Sequence, residues 1–294
     1  MKETTKQKES LSLRFLYRTA VGRLLLKPLI ARPLSKLAGK FMSSSLSRPL
    51  IRRFVKKNGI NLADFHSDSF SSFNDCFTRK IKDGLRPLDP DPNALIAPCD
   101  ALLSAYRIDP DTRLQIKGSV YSVESLLQDP LLAQRFQGGT CLVFRLCVTH
   151  YHRYVYPDSG TKEENVFIKG RLHTVRPIAL ETYPVFRQNC REYTVLHTDH
   201  FGDAVQMEVG AMLVGKIKNH MGKGSFARGE EKGLFLYGGS TIVMLLEKDR
   251  ALLVNRFFEA TARDEEIDVK MGERIGSACA IATNATAAEA LAIN

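Results

Sequence analysis

The chain has 294 residues, of which 44% are hydrophobic and 25% charged, so it is long enough and apolar enough to fold around a substantial core. No window reaches the ~20 consecutive apolar residues of a membrane-spanning helix, and none of the six cysteines forms a CxxC pair, which argues against a zinc ribbon or a redox motif. The net charge of +10 is uneven: residues 1–57 hold fifteen Lys and Arg against Glu3 and Glu9, or +13, and the remainder carries 27 Lys and Arg against 30 acids, or −3.

Three apolar patterns with helical spacing run through this basic segment. The first predicts an amphipathic helix that ends at Pro28. The second covers residues 34–41, and the third is bounded by Pro49 as a helix start and Gly59 as a helix stop. The apolar face of the first helix consists of Leu13, Leu16, Tyr17, Ala20, Val21 and Leu24.

Apolar stripes flanked by Lys and Arg, with few acids, are typical of helices that lie in the headgroup layer of an anionic membrane. We therefore expect residues 1–70 to be a membrane-associating region, with the protein held peripherally on the cytoplasmic side of the cell membrane. Nucleic acid is not expected as a partner, because an arm that binds nucleic acid does not need apolar stripes. The alternative is that these helices pack on the body as ordinary core elements.

Residues 71–294 are predicted to form one domain built mainly of strands. Short β-rich runs alternate with Gly and Asp turns, and only residues 123–136 have a clear helical pattern. There is no βαβ alternation, so we expect an α+β fold with a mostly antiparallel β core behind the basic N-terminal helices. The β-rich runs are residues 142–148, 166–169, 193–197, 204–209, 241–246 and 252–258.

The sequence Gly238-Gly239-Ser240-Thr241 lies at a sharp turn between two strand-like runs. A serine can attack the carbonyl of the residue before it when the backbone is held strained, and a glycine there removes the Cβ that would block the approach. The product is an ester in place of an amide. Elimination then frees the upstream chain as a carboxylate and leaves a dehydroalanine, which hydrolyses to a pyruvoyl group.

Together with several other stretches, this motif resembles the phosphatidylserine decarboxylase family, whose members mature at a Gly-Ser bond within an LGST or GGST sequence. The resemblance covers roughly residues 70 to 280 and implies cleavage between Gly239 and Ser240 into chains 1–239 and 240–294. The other matching stretches are Phe73-Asn-Asp-Cys-Phe-Thr-Arg-Lys80 with Arg86-Pro87, Ala97-Pro-Cys-Asp100, Ile116-Lys-Gly-Ser-Val-Tyr-Ser122, Tyr151-His-Arg153, and Met207-Glu-Val-Gly-Ala211 with Val214-Gly215.

In that family an Asp, a His and the motif Ser form a relay for self-cleavage, and the resemblance assigns these roles to Asp100, His152 and Ser240. The expected histidine of a Tyr-His-Arg-x-His motif is Val155 in this chain, so His152 is the candidate to replace it. Residues 152 and 155 face opposite sides of a regular strand, an objection that a bulge or a loop removes. His150, His173 and His197 are reserve candidates.

The resemblance further implies a covalent pyruvoyl cofactor derived from Ser240, which forms a Schiff base with phosphatidylserine and releases CO2 to give phosphatidylethanolamine. The mature enzyme is then a two-chain protein, with a homodimer left open. No metal is expected, because Cys147, His150 and His152 lack a fourth ligand at suitable spacing. Two alternatives remain: a soluble pyruvoyl decarboxylase of a free amino acid, and a membrane-binding relative that never matures because of Val155.

Overall fold

The computed structural model describes residues 11–111, 113–116, 119–211, 217–237 and 240–279. Gly239 of the predicted cleavage site and the Val214-Gly215 pair lie outside these ranges. The α-helices of the described residues are α1 (Leu11–Arg18), α2 (Ala20–Leu29), α3 (Arg32–Met42), α4 (Pro49–Asn58), α5 (Phe73–Phe77), α6 (Val123–Leu127), α7 (Pro130–Gln134), α8 (Pro177–Leu180), α9 (Val185–Gln188) and α10 (Arg256–Ala262).

The strands form two antiparallel sheets that matter for the site, a large one and a small one, together with two further short sheets. They are β1 (Ala94–Ile96), β2 (Ala101–Arg107), β3 (Arg113–Ile116), β4 (Ser119–Ser122), β5 (Thr140–Leu146), β6 (Arg153–Val155), β7 (Gly160–Lys162), β8 (Val166–Ile168), β9 (Arg191–Thr198), β10 (Gly202–Val209), β11 (Ile217–Asn219), β12 (Gly224–Phe226), β13 (Glu231–Phe235), β14 (Ser240–Leu246), β15 (Ala251–Leu253), β16 (Ile267–Val269) and β17 (Arg274–Ala278).

The large sheet has nine strands in the order β12-β7-β9-β10-β14-β5-β2-β16, with β8 also paired to β9. Every pair in it is antiparallel, so the predicted α+β fold with an antiparallel core is confirmed. Strand β14 lies in the middle, and all seven of its residues are buried. Its sequence is almost uninterruptedly apolar because both faces of the sheet are covered.

Each face of the large sheet carries its own hydrophobic core. Val205 and Met207 of β10 point into one core, and Ala204 points into the other, as the period of two along a strand requires. The small sheet, in the order β11-β13-β6, lies over the second core through Tyr154 and Phe235. The segment that leads to the GGST turn therefore comes from the small sheet, and the segment that follows it enters the large one.

The N-terminal helices pack on the body along part of their length. Tyr17, Leu26 and Ile30 are buried in the first core, while much of the remaining apolar surface of α1 to α4 is exposed. None of the helices in the described ranges is both long enough and apolar enough to cross a bilayer. The large exposed side chains of this region are Leu11, Phe15, Val21, Leu24, Leu25, Leu34, Leu37, Phe41, Leu46 and Leu50.

The structure corrects three element predictions. The first amphipathic helix is split, because Thr19 caps α2 by accepting a hydrogen bond from the Gly22 amide, and α2 runs one residue past Pro28. The helix predicted over residues 123–136 is two short helices, broken where Gln128 adopts a left-handed conformation and Asp129 caps α7. Only the first two residues of the predicted strand 252–258 are extended, since α10 begins at Arg256.

The third helix prediction is confirmed. Helix α4 starts with Pro49 at its first position, where a missing amide proton costs no hydrogen bond. It ends at Gly59, which takes the left-handed conformation with φ of 60°. That conformation is available to glycine without the steric penalty that a Cβ brings.

Candidate active site

Three neighbouring strands of the large sheet have termini that lie side by side at one end of the sheet. Strand β2 begins just after Asp100, β5 ends at Leu146, and β14 begins at Ser240, which pairs with Leu146. The register aligns Leu102, Arg145 and Thr241 across the three strands. Since β5 lies between the other two, the backbones of Asp100 and Ser240 are about 10 Å apart at the usual strand spacing.

The Ser240 side chain is fully buried at this end of the sheet. Its Oγ has no hydrogen-bond partner among the described residues, and neither has the hydroxyl of the neighbouring Thr241. A buried hydroxyl without a partner costs free energy, commonly about 1–3 kcal/mol. A catalytic role is one explanation for a buried polar group without a hydrogen-bond partner. Here that group is the hydroxyl of the serine in the GGST motif.

His152 lies immediately before β6, beside the chain that leads to the GGST turn. Its backbone oxygen accepts a hydrogen bond from the amide of Phe235, the last residue of β13, at 2.9 Å. Its ring contacts the Phe77 ring with centroids 4.0 Å apart, and Phe77 in turn packs against Tyr237. Only Gly238 and Gly239 separate Tyr237 from Ser240 in the sequence.

The two ring nitrogens of His152 have different environments. Nδ1 lies 2.9 Å from the backbone oxygen of His150, and because a carbonyl only accepts, Nδ1 carries the proton. The lone pair is therefore on Nε2, which is buried without a partner in the described part of the chain. Burial lowers the pKa of His152 to about 3, so the ring is neutral at physiological pH and its Nε2 can accept a proton.

The geometric objection to His152 does not apply in this fold. Strand β6 starts at Arg153, so His152 is outside the regular alternation that would turn residues 152 and 155 to opposite sides. The pairing of β6 with β13 also shifts register between Glu231 and Gly233. Val155 itself is buried, and its amide donates to the Pro98 oxygen at 2.9 Å, which places it close to the segment that carries Asp100.

Asp100 is held by an arginine and a backbone amide. Arg86 donates to both carboxylate oxygens, at 2.7 and 2.5 Å, and the Met271 amide donates at 3.0 Å. The carboxylate makes no hydrogen bond to a histidine within the described ranges. The structure therefore brings Asp100, His152 and Ser240 to one region, but the His150 carbonyl, and not Asp100, orients the His152 ring.

Helix α5 holds Tyr237, the last described residue before Ser240. The Tyr237 amide donates to the Asn74 side chain at 2.9 Å, and the Tyr237 ring packs edge-on against Phe73 and Phe77. Asn74 also donates to the Ser43 hydroxyl at the end of α3. Residues 73–80 match the family motif in the sequence, but the sequence assigns no role to Asn74 or Phe77. Only the fold shows that both contact Tyr237.

The reserve histidines fall at different distances from Ser240. His150 is next to the site, where its Nδ1 accepts from the Cys147 amide, and burial lowers its pKa. His197 pairs with Asp203 near the opposite end of β10, about 20 Å along the strands at ~3.3 Å per residue. His173 lies beyond β9, where it hydrogen-bonds Asn189. Within the described residues, no three His, Cys, Asp or Glu side chains converge as metal ligands would.

Comparison with known proteins shows the family to which the chain belongs. Residues 73–277 match the family model described as phosphatidylserine decarboxylase. The chain is 43% identical to phosphatidylserine decarboxylase proenzyme 2 of Clostridium acetobutylicum over 92% of this chain and 93% of that protein. It is 41% identical to a phosphatidylserine decarboxylase proenzyme of Clostridium novyi (90% and 92% covered) and 39% identical to one of Desulfitobacterium hafniense (90% and 91% covered).

Proposed function

Because the chain belongs to the phosphatidylserine decarboxylase family, we propose that it is a proenzyme that cuts itself before Ser240 and then converts phosphatidylserine to phosphatidylethanolamine. The observation that carries this proposal is a pair of buried atoms without a partner in the described residues, Ser240 Oγ at the start of β14 and His152 Nε2 just before β6. A nucleophile and a base held without competing partners are what an internal acyl shift needs.

In the first step, Ser240 Oγ attacks the carbonyl carbon of Gly239 and its proton passes to His152 Nε2. The C–N bond breaks, the Ser240 nitrogen takes up the proton, and an ester links the two residues. Loss of the Ser240 Cα proton then breaks the ester C–O bond and releases Gly239 as a carboxylate. Water hydrolyses the remaining dehydroalanine and frees ammonia, which leaves a pyruvoyl group at position 240.

Asp100 has an electrostatic role in this proposal. Its charge raises the pKa of His150, against the larger effect of burial, but Asp100 is not among the groups that shift the pKa of His152. Arg86 and the Met271 amide fix the carboxylate in place. In this proposal Asp100 therefore acts on the neighbouring His150 and not directly on the His152 ring.

The residues around position 240 fit a pyruvoyl group, because Ser240 supplies the carbon atoms of that group and is itself fully buried away from water. The group supplies a ketone that condenses with the substrate amine and takes up the electrons released as CO2 leaves. The contacting rings of Phe77 and Tyr237 supply apolar surface close in sequence to position 240, which favours loss of a charged carboxylate. In this proposal His152 Nε2 returns a proton to the substrate carbon.

Both chains remain in one molecule after cleavage. Strand β14 starts the smaller chain and pairs with β10 and β5 of the larger one over most of its length. The smaller chain also contributes β15, β16 and β17, which pair with strands of either chain. The hydrogen bonds that hold it are therefore independent of the peptide bond that is cut.

The basic N-terminal helices support a membrane-bound substrate. Their exposed leucine and phenylalanine side chains lie on helices that also carry exposed Lys and Arg, a surface suited to anionic headgroups. The proposal is peripheral binding on the cytoplasmic side of the cell membrane, with phosphatidylserine as substrate. A soluble decarboxylase of a free amino acid would have no use for this surface.

The test is the intact mass of the purified protein, wild type beside Ser240→Ala. We expect two wild-type fragments divided before residue 240, the smaller one with a pyruvoyl-blocked N-terminus, and one uncut chain in the variant. Phosphatidylserine in vesicles is then converted by the wild type alone. An uncut wild-type chain of 32.9 kDa would instead show a relative that does not mature, with Val155 as the reason.

A further inference from the structure

A cavity of about 820 Å³ lies between helix α2 and the segment of residues 170–188, away from Ser240. The Leu172 amide donates to the Ile30 oxygen at the end of α2 and ties the two walls together. The cavity is lined by Ala20, Arg23, Leu24, Leu26, Lys27, Ile30, Gly170, Arg171, His173, Tyr183 and Gln188.

Three cationic side chains converge on this cavity without an acidic partner. Arg23, Lys27 and Arg171 all line it, and none of them forms an ion pair within the part of the chain that the structure describes. No Asp or Glu lines the cavity. Concave positive surface with no internal counter-charge concentrates the field and attracts an anion, and Arg suits phosphate because its planar group donates two parallel hydrogen bonds.

The back of the cavity is rigid and uncharged. The His173 ring stacks on Tyr183, with centroids 4.6 Å apart, and lies 3.4 Å from the Tyr17 hydroxyl. Burial, with a smaller effect of Arg171, lowers the pKa of His173 to about 4. Near neutral pH the ring therefore adds no charge, and the cavity's net charge comes from the three side chains at its mouth.

One wall of the cavity continues into exposed apolar surface. Leu24 lines the cavity and is 63% exposed, and Val21 and Leu25 of the same helix are also exposed. A free inorganic anion gains nothing from these side chains. A ligand with a phosphate for the three cations and hydrocarbon for the leucines matches both parts of the surface.

The cavity and the Ser240 side chain lie on opposite faces of the large sheet. Arg171 bridges to Asn189, which leads into β9, and β9 and β10 separate it from β14. Three strand spacings make about 14 Å. In phosphatidylserine the amine nitrogen and the phosphorus are four bonds apart, roughly 5–6 Å at ~1.5 Å per bond. Leu26 and Ile30 of the cavity belong to the first core, whereas Ser240 is on the same face of β14 as Ile242 and Met244 of the second core. The large sheet therefore separates the cavity from a headgroup bound at position 240.

We propose that this cavity is a second lipid site, in which Arg23, Lys27 and Arg171 hold the phosphate of an anionic glycerophospholipid that is not the reacting substrate. Its acyl chains leave past Leu24 along the exposed face of α2. An occupied site fixes α2, and with it the N-terminal helices, on the bilayer. The inference does not depend on decarboxylation, since it concerns binding at a site apart from Ser240.

The test measures binding of short-chain, monomeric phosphatidylglycerol to the full-length Ser240→Ala chain, which stays uncut and inactive. The cavity variant combines Arg23→Gln, Lys27→Gln and Arg171→Gln. The matched control combines Arg14→Gln, Lys36→Gln and Lys169→Gln, which removes the same charge from exposed residues that do not line the cavity. We expect saturable binding that weakens about tenfold or more in the cavity variant and less than about threefold in the control.

Two outcomes would overturn the proposal. Equal losses in both variants would mean that the lipid senses only the overall positive charge of the helices. Binding of inorganic phosphate as tight as that of the lipid would mean a simple anion site with no use for Leu24. Thermal unfolding of both variants shows that each is folded, and a failure here leaves the mass test of self-cleavage unaffected.

Discussion

At the scale of single residues, the identity of the maturation base is the sharpest question. His152→Ala removes the unpartnered Nε2, and we expect self-cleavage to slow by a factor of about 10² to 10⁴, the usual contribution of a general base. His150→Ala is the matched control, because the backbone oxygen that orients His152 survives that substitution. The measurement is the uncut fraction against time by mass spectrometry. Equal slowing in both variants would assign the role to neither ring alone.

The low pKa of His152 predicts an unusual pH profile for self-cleavage. With a pKa of about 3, the ring is already neutral at about pH 5, so the cleavage rate should stay nearly constant from there to about pH 8. A base with the ordinary histidine pKa of ~6.5 would lose about tenfold in rate per unit below that value. Freshly synthesised chain, followed by gel across this range, separates the two cases.

The same histidine makes stability depend on pH. Its pKa is lower in the folded protein than the ~6.5 of the unfolded chain, so the unfolded state binds more protons between these values. Stability is therefore complete above about pH 6.5 and falls by up to about 1.4 kcal/mol per unit below it. Urea unfolding of Ser240→Ala against Ser240→Ala/His152→Asn measures this, and equal slopes in the two chains would contradict it.

At the scale of elements, a buried ion pair joins the two sheets that flank the scissile turn. Lys232 of β13 donates to Glu208 of β10 at 2.7 Å, and both side chains are fully buried. Asn219 of β11 bonds to both. The small sheet, whose strand β13 leads to Gly239, is thereby fixed in position relative to the large sheet, which carries Ser240.

We expect Lys232→Met to destabilise the protein by about 3–5 kcal/mol, because it leaves Glu208 buried without its counter-charge. Burial already raises the pKa of Glu208, an effect that Lys232 opposes. The double variant Lys232→Met/Glu208→Gln removes both charges and should recover most of the loss. Chemical unfolding of the parent, Lys232→Met, Glu208→Gln and the double variant, all in the Ser240→Ala background, gives the coupling. A double variant as unstable as the single one would show that the pair itself is unimportant.

The elements that local pattern determines could be predicted from the sequence. Strand β14 was predicted as residues 241–246 because five apolar residues follow Thr241 without a polar interruption, and the end of α4 because Gly59 is suited to a left-handed turn. The helix at residues 256–262 was missed, since Phe257 and Phe258 favour strands locally and only packing of Phe257 into the second core makes them helical.

Candidate residues for the site could be named from the sequence, but their contacts could not. Ser240, Asp100 and His152 were named from motifs, whereas their arrangement depends on strand order, which local sequence does not encode. The partner that orients His152 is a backbone carbonyl. Every residue has such a carbonyl, so a pattern of side chains does not predict this contact. The pairing of Asp100 with Arg86 likewise joins residues that lie in a loop and at a strand end.

At the scale of the whole molecule, the N-terminal helices have two kinds of apolar surface, one packed in the core and one exposed. Leu26 is 1% exposed and belongs to the first core, whereas Leu37 and Leu46 are 66% and 75% exposed. Deleting the helices would therefore remove core as well as surface, since large-to-small changes at buried leucines commonly cost about 2–5 kcal/mol. Membrane binding has to be tested at the exposed positions alone.

We expect Leu37→Ser/Leu46→Ser to weaken binding to vesicles that contain anionic lipid while leaving the unfolding temperature within a degree or two, about the change expected for exposed sites. Leu131→Ser/Leu252→Ser is the matched control, because those leucines are 78% and 64% exposed but lie on the body. Co-sedimentation with vesicles compares the two variants. If both lose binding equally, hydrophobic contact is not confined to the helices; if neither does, the Lys and Arg side chains alone hold the protein on the membrane, and the exposed leucines need another partner.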